Sequence, residues 1–138
     1  MAKKKTLVGI LMGSKSDSET MRETEKVLKE YKIPYEINVL SAHRDPEKVR
    51  FYAKSARKRG LKVLICGAGM SAALSGVVSS YTDLPVIGVP IYTTALKGVD
   101  SFLSTMQMPA GVPVACVAIG KAGAKNAAHL ARRILTTY

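Results

Sequence analysis

The chain has 138 residues, 47% hydrophobic and 22% charged, a size and balance that predict one globular domain and exclude a disordered chain. No apolar run approaches the roughly 18 residues needed to cross a bilayer, which excludes a membrane-spanning protein. The basic start at residues 1–5 lacks a signal-peptide cleavage site. We therefore expect a soluble, cytoplasmic protein with a single domain over residues 1–138 and a flexible start at 1–5.

The net charge of +11 is compatible with a nucleic-acid partner, because clustered lysine and arginine attract phosphate. Here the cationic residues are spread over predicted helix faces and aromatic residues are few, so we expect no nucleic-acid partner. A basic surface that attracts an anionic metabolite explains the charge equally well. Cys66 and Cys116 lie in apolar runs and are predicted to be small buried hydrophobes without a metal or redox role.

Five short, almost continuously apolar segments predict parallel strands covered on both faces. They span residues 7–12, 35–40, 62–66, 85–91 and 112–119. Helical patterns separate or follow them, at residues 16–31, 46–60, 71–81, 99–106 and 124–135. This alternation predicts right-handed βαβ units, and therefore a three-layer αβα domain with a parallel sheet of the flavodoxin-like or Rossmann-like kind.

Ligands of such sheets bind beyond the carboxyl ends of the strands, so the segments that follow the strands are the candidate site. These are residues 13–17, 41–44, 67–71 and 120–123. Segment 67–71 is rich in glycine, which lets a backbone come close to a ligand, although this signal alone is weak.

Residues 13–17 (GSKSD) join the first strand to the first helix. Backbone N–H groups and two serine hydroxyls at a helix N-terminus can bind phosphate, and Asp17 can accept hydrogen bonds from ribose hydroxyls. The alternative is that Ser16 or Asp17 only caps the helix, since Ser16 to Glu19 has a capping-box spacing.

Residues 41–44 (SAHR) follow the second strand. Histidine is the residue type most suited to giving and taking a proton near neutral pH, so His43 is a candidate acid and base. Arg44 can bind a phosphate or carboxylate through two hydrogen bonds. A surface or structural histidine is the alternative for His43, and it is the interpretation we favour for His129, which lies in a predicted helix.

Five segments in their order and spacing resemble one family, the PurE family of N5-carboxyaminoimidazole ribonucleotide mutases and related aminoimidazole ribonucleotide carboxylases. They are residues 12–17 (MGSKSD), 41–44 (SAHR), 84–90 (LPVIGVP), 107–115 (QMPAGVPVA) and 118–123 (AIGKAG). The resemblance covers residues 7–135. It implies a flavodoxin-like fold, a homo-octamer, no metal or organic cofactor, and a small-molecule ribonucleotide substrate.

The resemblance also implies residue roles. Ser14, Asp17 and Arg44 would bind the ribonucleotide and its phosphate, and Ser41 would line the pocket. His43 would be the catalytic acid and base: it would protonate the carbamate nitrogen so that carbon dioxide leaves, and take the C4 proton after recarboxylation. The rest of the expected substrate-binding set is Gly13, Gly69, Ser71 and Leu74.

The sequence departs from the usual mutase pattern at residues 69–76 (GMSAALSG). Mutases resembling the bacterial majority carry Gly-Gly-Ala-Ala-His-Leu-Pro-Gly there, so Ala73 replaces a histidine and Ser75 a proline. Carboxylases that use carbon dioxide directly carry Ser-Asn-Ala-Leu-Ser-Gly, which this segment partly matches, but they usually have lysine where this chain has Arg44. We therefore favour a mutase, with a direct carboxylase and a non-catalytic nucleotide-binding module as the alternatives.

Overall fold

The computed structural model describes residues 5–137, in which five strands and five α-helices alternate along the chain. The strands are β1 (Val8–Met12), β2 (Tyr35–Val39), β3 (Val63–Ala68), β4 (Val86–Pro90) and β5 (Ala115–Cys116). The helices are α1 (Ser18–Glu30), α2 (Pro46–Ala56), α3 (Leu74–Tyr81), α4 (Val99–Met106) and α5 (Gly120–Leu135). The flexible start predicted for residues 1–5 lies, apart from Lys5, outside the described residues.

The strands form one parallel sheet in the order β2-β1-β3-β4-β5. This is the flavodoxin-like order, so the predicted αβα architecture is confirmed and the Rossmann-like variant is not adopted. β1 pairs with β2 on one side and β3 on the other, with Met12 opposite both Val39 and Gly67. The carboxyl ends of these three strands therefore lie side by side, at the point where the strand order reverses.

Two hydrophobic clusters fill the spaces between the sheet and its helix layers. Alternating residues of β1 enter opposite clusters: Ile10 packs with α1 and α5, and Leu11 packs with α2 and α3. Both side chains are fully buried, as predicted for a strand covered on both faces. That prediction is wrong for β2, where Ile37 and Val39 are exposed, because β2 pairs only with β1 at the sheet margin.

The end of the sheet differs from its prediction. The expected strand at residues 112–119 is reduced to Ala115–Cys116. The carbonyl of Val117 accepts a hydrogen bond from Asn126 Nδ2 at 3.1 Å, and Ala118 has a φ of 137°, so the chain leaves the extended conformation there. Residues 120–123, predicted as a loop, are the first turn of α5.

Both cysteines are free thiols. Cys66 is buried in β3 and Cys116 is half-buried in β5, and burial raises the pKa of both thiols. Cys66 is therefore buried as predicted, whereas the prediction of burial is wrong for Cys116, which is only half-buried. Within residues 5–137 there is no helix with the length and apolar character to cross a membrane.

Close packing of β4 against α3 and α4 requires glycine at position 88. A Cβ there would contact the Thr105 side chain and lie 3.1 Å from Ser75 Oγ, and both of these side chains are buried. We expect Gly88→Ala to lower the free energy of unfolding by about 1–3 kcal/mol, measured by urea denaturation. Gly76→Ala is the control, because its Cβ would meet only the flexible end of Met108; equal losses for the two variants would contradict this packing.

Candidate functional site

Three loops meet at the carboxyl edge of the sheet. The amide of Gly13 donates to the carbonyl of Gly67 at 3.1 Å, and the amide of Leu40 donates to the carbonyl of Met12 at 2.9 Å. Hydrogen bonding between neighbouring strands therefore continues up to the residues at which the loops begin. With neighbouring strands about 4.8 Å apart, the loops after β2, β1 and β3 start within roughly 10 Å of one another.

The first of these loops, residues 13–17, is held by a capping box two residues earlier than predicted. Ser14 Oγ accepts from the amide of Ser16 at 3.3 Å, and Asp17 Oδ2 accepts from the amide of Ser14 at 3.1 Å. The predicted box from Ser16 to Glu19 is therefore wrong. The chain forms a short 3-10 turn, Lys15–Asp17, before α1, and this turn makes Ser14 the capping residue.

The same bonds change how this loop can bind an anion. Backbone amides are already used as donors within the protein at Gly13, Ser14, Ser16 and Asp17. A phosphate at this loop would therefore be bound mainly by side chains. Ser14 is suited to this, because its oxygen also accepts from the Ser16 hydroxyl at 3.0 Å. With both lone pairs occupied, the Ser14 hydroxyl proton is free to point towards a ligand.

Asp17 is the last residue of the loop and is only 7% exposed. Burial raises the pKa of its carboxyl, and the hydrogen bond from the Ser14 amide partly opposes this shift. One carboxylate oxygen is used by that bond, so the other is available to a ligand hydroxyl.

The second loop, residues 41–44, is a tight turn that precedes α2. Ser41 Oγ accepts from the amide of Arg44 at 3.1 Å, and the Ser41 carbonyl accepts from the amide of Asp45 at 2.8 Å. These two bonds close the turn and leave the side chains of His43 and Arg44 exposed. Ser41 therefore fixes the backbone that carries the predicted acid/base group and the predicted cationic anchor.

The third loop, residues 69–73, follows β3. A Cβ on Gly69 would lie 3.2 Å from Thr93 Cγ2, so the loop passes close to the segment after β4. Ser71 is exposed, and Met70 is 67% exposed with a φ of 55°. Leu74, predicted to bind substrate, is only 2% exposed and belongs to the core beneath α3, so its side chain packs inward.

Two of the departures from the mutase pattern, Ala73 and Ser75, occupy different environments. Ala73 is half-buried at the N-cap position of α3, as the last residue of the loop. Ser75 is 2% exposed and faces Gly88 of β4. It lies in the first turn of α3, where a proline is also tolerated. Of these two replacements, only the one at Ala73 therefore lies at the candidate site.

One polar contact of this loop was not predicted. Ser104 of α4 accepts a hydrogen bond from the amide of Ala72 at 3.2 Å. No sequence motif marks Ser104; the only related signal is that α4 carries small polar residues among apolar ones. The inward face of α4 is in fact polar, because Ser101 and Thr105 are its buried residues.

His129 is a surface residue, as predicted, and contacts Tyr31 at the end of α1. Its Nδ1 is 2.6 Å from the Tyr31 hydroxyl, and it is an exposed residue of α5. Because the sequence has two histidines, His43 is the imidazole at the carboxyl edge. Among residues 5–137 there is no cluster of three or more His, Cys, Asp and Glu side chains that could hold a metal ion.

The fold and these loops together define a class: a parallel α/β protein whose switch-point edge presents hydroxyls, one buried carboxylate, one imidazole and one guanidinium. Such a set suits a small anionic ligand that also carries hydroxyl groups, with an imidazole placed for proton transfer.

Comparison with known proteins identifies the family. The AIR carboxylase family model matches residues 7–138, so the chain belongs to that family, and the resemblance found in the sequence is confirmed. It is 56% identical to the N5-carboxyaminoimidazole ribonucleotide mutase of Pyrococcus horikoshii, covering 98% of this chain and 75% of the relative. It is 60% identical to the protein of the same name from Saccharolobus solfataricus, covering 93% and 80%.

A solved structure agrees with the fold. The crystal structure of Treponema denticola PurE superposes with a TM-score of 0.84 at 36% identity, over 96% of this chain and 81% of that one.

The buried carboxyl of Asp17 gives a prediction for stability and binding. Because burial raises its pKa above the unfolded value, stability is lost as the pH rises through the folded pKa. Asp17→Asn keeps an acceptor for the Ser14 amide and removes the charge. We therefore expect a higher unfolding midpoint than wild type at pH 7, a difference that shrinks towards pH 4, and at least about tenfold weaker ribonucleotide binding.

Thermal unfolding across this pH range and ligand titration measure the two effects. Asp45→Asn is the control, because Asp45 precedes α2 without a side-chain capping bond. A midpoint for Asp17→Asn below that of wild type at pH 7 would contradict this account of Asp17.

Proposed function

We propose that the protein is an N5-carboxyaminoimidazole ribonucleotide mutase of purine biosynthesis. The main observation behind this proposal is the 41–44 turn. Its exposed His43 and Arg44 lie next to the loop of Ser14 and Asp17, where the strand order reverses. Relatives of 56% and 60% identity that bear this name support the assignment. The reaction moves a carboxylate from N5 to C4 of 5-aminoimidazole ribonucleotide.

The chemistry needs one proton carrier and no change in oxidation state. The imidazolium of His43 donates its proton to N5 as the N5–carboxylate bond breaks and carbon dioxide forms. C4 then attacks the carbon dioxide, and the proton on C4 passes to His43, which restores the starting state. A single imidazole can serve both steps because its charged form donates a proton and its neutral form accepts one.

The remaining residues bind and orient the substrate. Arg44 forms a charge-assisted hydrogen bond to the phosphate, and the Ser14 hydroxyl donates a second bond to the same end. Asp17 accepts from ribose hydroxyls. Gly69 and Ser71 border the imidazole end, where the left-handed backbone at Met70 sets the course of the loop.

A direct carboxylase acting on free carbon dioxide is the second candidate. It is favoured by one observation: Ala73 provides no imidazole at the wall of the site. Arg44 and the names of the relatives favour the mutase. A nucleotide-binding module without catalysis is the third candidate.

We further propose that the protein is a cytoplasmic homo-octamer. The amphipathic pattern of α4 is inverted: its buried side chains are Ser101 and Thr105, whereas Val99, Leu103 and Met106 form an exposed stripe. An apolar stripe at this spacing is typical of a surface covered by another protein. The two free, largely protonated thiols suit a reducing compartment.

Replacing the proposed acid/base group tests the mechanism. We expect His43→Asn to lower kcat by at least ~100-fold, because general acid and base catalysis contributes that much or more, while ligand affinity stays within about threefold. His129→Asn is the matched control and should retain activity. Near-normal turnover by His43→Asn would exclude His43 as the proton carrier.

A two-substrate comparison tests the proposed reaction. Purified protein is given either N5-carboxyaminoimidazole ribonucleotide or 5-aminoimidazole ribonucleotide with excess bicarbonate. We expect efficient consumption of the first only. Preference for the second would make the protein a carboxylase, and binding without turnover of either would leave a nucleotide-binding module.

The exposed stripe of α4 gives a prediction for assembly. We expect Leu103→Glu to convert the octamer to smaller species in light scattering, because a charge in a buried apolar contact is costly. Leu103→Met keeps the apolar surface and should leave the mass unchanged. An octamer that survives Leu103→Glu would show that this stripe does not hold the assembly together.

A further inference from the structure

The 69–73 loop is joined to α4 through the hydroxyl of Ser104. The Ala72 amide donates to Ser104 Oγ at 3.2 Å, and the same oxygen lies 3.4 Å from the Met70 carbonyl and 2.5 Å from the Asp100 carbonyl. One side chain of α4 therefore contacts the loop at two points, Met70 and Ala72, which lie on either side of Ser71.

The geometry decides how this hydroxyl is used. A serine hydroxyl has one proton to donate, and the much shorter separation assigns that proton to Asp100. Bonding to the carbonyl four residues earlier is a common arrangement for serine in a helix, and it fixes the orientation of the oxygen. The lone pairs of Ser104 are thereby directed to the Ala72 amide.

The loop needs such a restraint because of its own backbone. Met70 has a φ of 55°, a left-handed conformation that side-chain-bearing residues adopt only at an energetic cost. Its side chain is 67% exposed, so packing of the side chain does little to hold this conformation. The bond from Ala72 to Ser104 lies two residues further on and opposes relaxation of the strained backbone.

We infer that Ser104 is a positioning residue of the site: it holds the 69–73 loop in the conformation that binds the imidazole end of the substrate. This inference rests on the proposed function for its catalytic readout, but the contact to the loop is independent of it. If the loop is ordered in only a fraction of molecules, apparent affinity falls to that fraction of its full value, while bound substrate reacts normally.

Ser104→Ala removes the acceptor for the Ala72 amide. We expect hydrogen–deuterium exchange of the 69–73 loop to accelerate about five- to tenfold, the factor that one hydrogen bond typically contributes. KM for N5-carboxyaminoimidazole ribonucleotide should rise by a similar factor, with kcat within about twofold and an unchanged pH profile. Ser104→Thr keeps the hydroxyl and should restore both values.

Ser80→Ala is the matched control. Ser80 is an exposed helical serine whose hydroxyl donates to the Val77 carbonyl at 2.6 Å, so this change removes the same kind of bond within α3. It should leave both loop exchange and KM unchanged.

Met70→Gly tests whether Ser104 acts by restraining the strained backbone at Met70 or by a general effect on α4. Glycine adopts a left-handed conformation at little cost, so in a Met70→Gly background the restraint is less needed. We expect Ser104→Ala to change KM by less than about twofold in that background.

Unchanged loop exchange and KM in Ser104→Ala, or equal changes in Ser80→Ala, would overturn the inference. So would an effect of Ser104→Ala that is undiminished in the Met70→Gly background. A wild-type protein that fails to consume the carbamate would overturn the proposed function instead, and loop exchange would still decide the role of Ser104.

Discussion

The position of β1 between β2 and β3 is the constraint on which the rest of the structure depends. Because all three strands are parallel, the loops that follow them lie at one edge of the sheet. The strand order reverses at β1, so the connections on its two sides run to opposite helix layers and leave a crevice between them. Ile10 and Leu11 of β1 pack into opposite hydrophobic clusters, so both helix layers hold β1 in place and thereby position the start of the 13–17 loop. Residues as far apart in the chain as Ser14 and Ser71 are brought to one edge of the sheet by this pairing.

The order of elements and most of the candidate loops could be predicted from the sequence, because apolar runs and helix signals are local. The short β5 could not, since its end depends on a bond from Asn126, and Ala118 adopts an unusual backbone angle. The inward side chain of Leu74 and the contact of Ser104 with Ala72 depend on packing between distant elements. Sequence patterns that describe single loops contain no information about such contacts.

The candidate site uses its own groups to hold its shape. Ser14 and Asp17 bond to each other, and Ser41 closes the turn that presents Arg44. Helix capping and ligand binding are compatible in the 13–17 loop, since capping leaves a hydroxyl proton of Ser14 and a carboxylate oxygen of Asp17 for the ligand. The stability lost by burying Asp17 is consistent with a residue retained for binding.

The most direct test of the central claim is a crystal structure with bound 4-carboxy-5-aminoimidazole ribonucleotide. The account predicts the phosphate at Ser14 and Arg44, the ribose at Asp17, and the imidazole between His43 and the 69–73 loop. Ligand bound instead in the separate depression of about 300 Å³, which is lined by Glu36, Asn38, Phe51, Tyr52, Ser55 and Arg59, would contradict it.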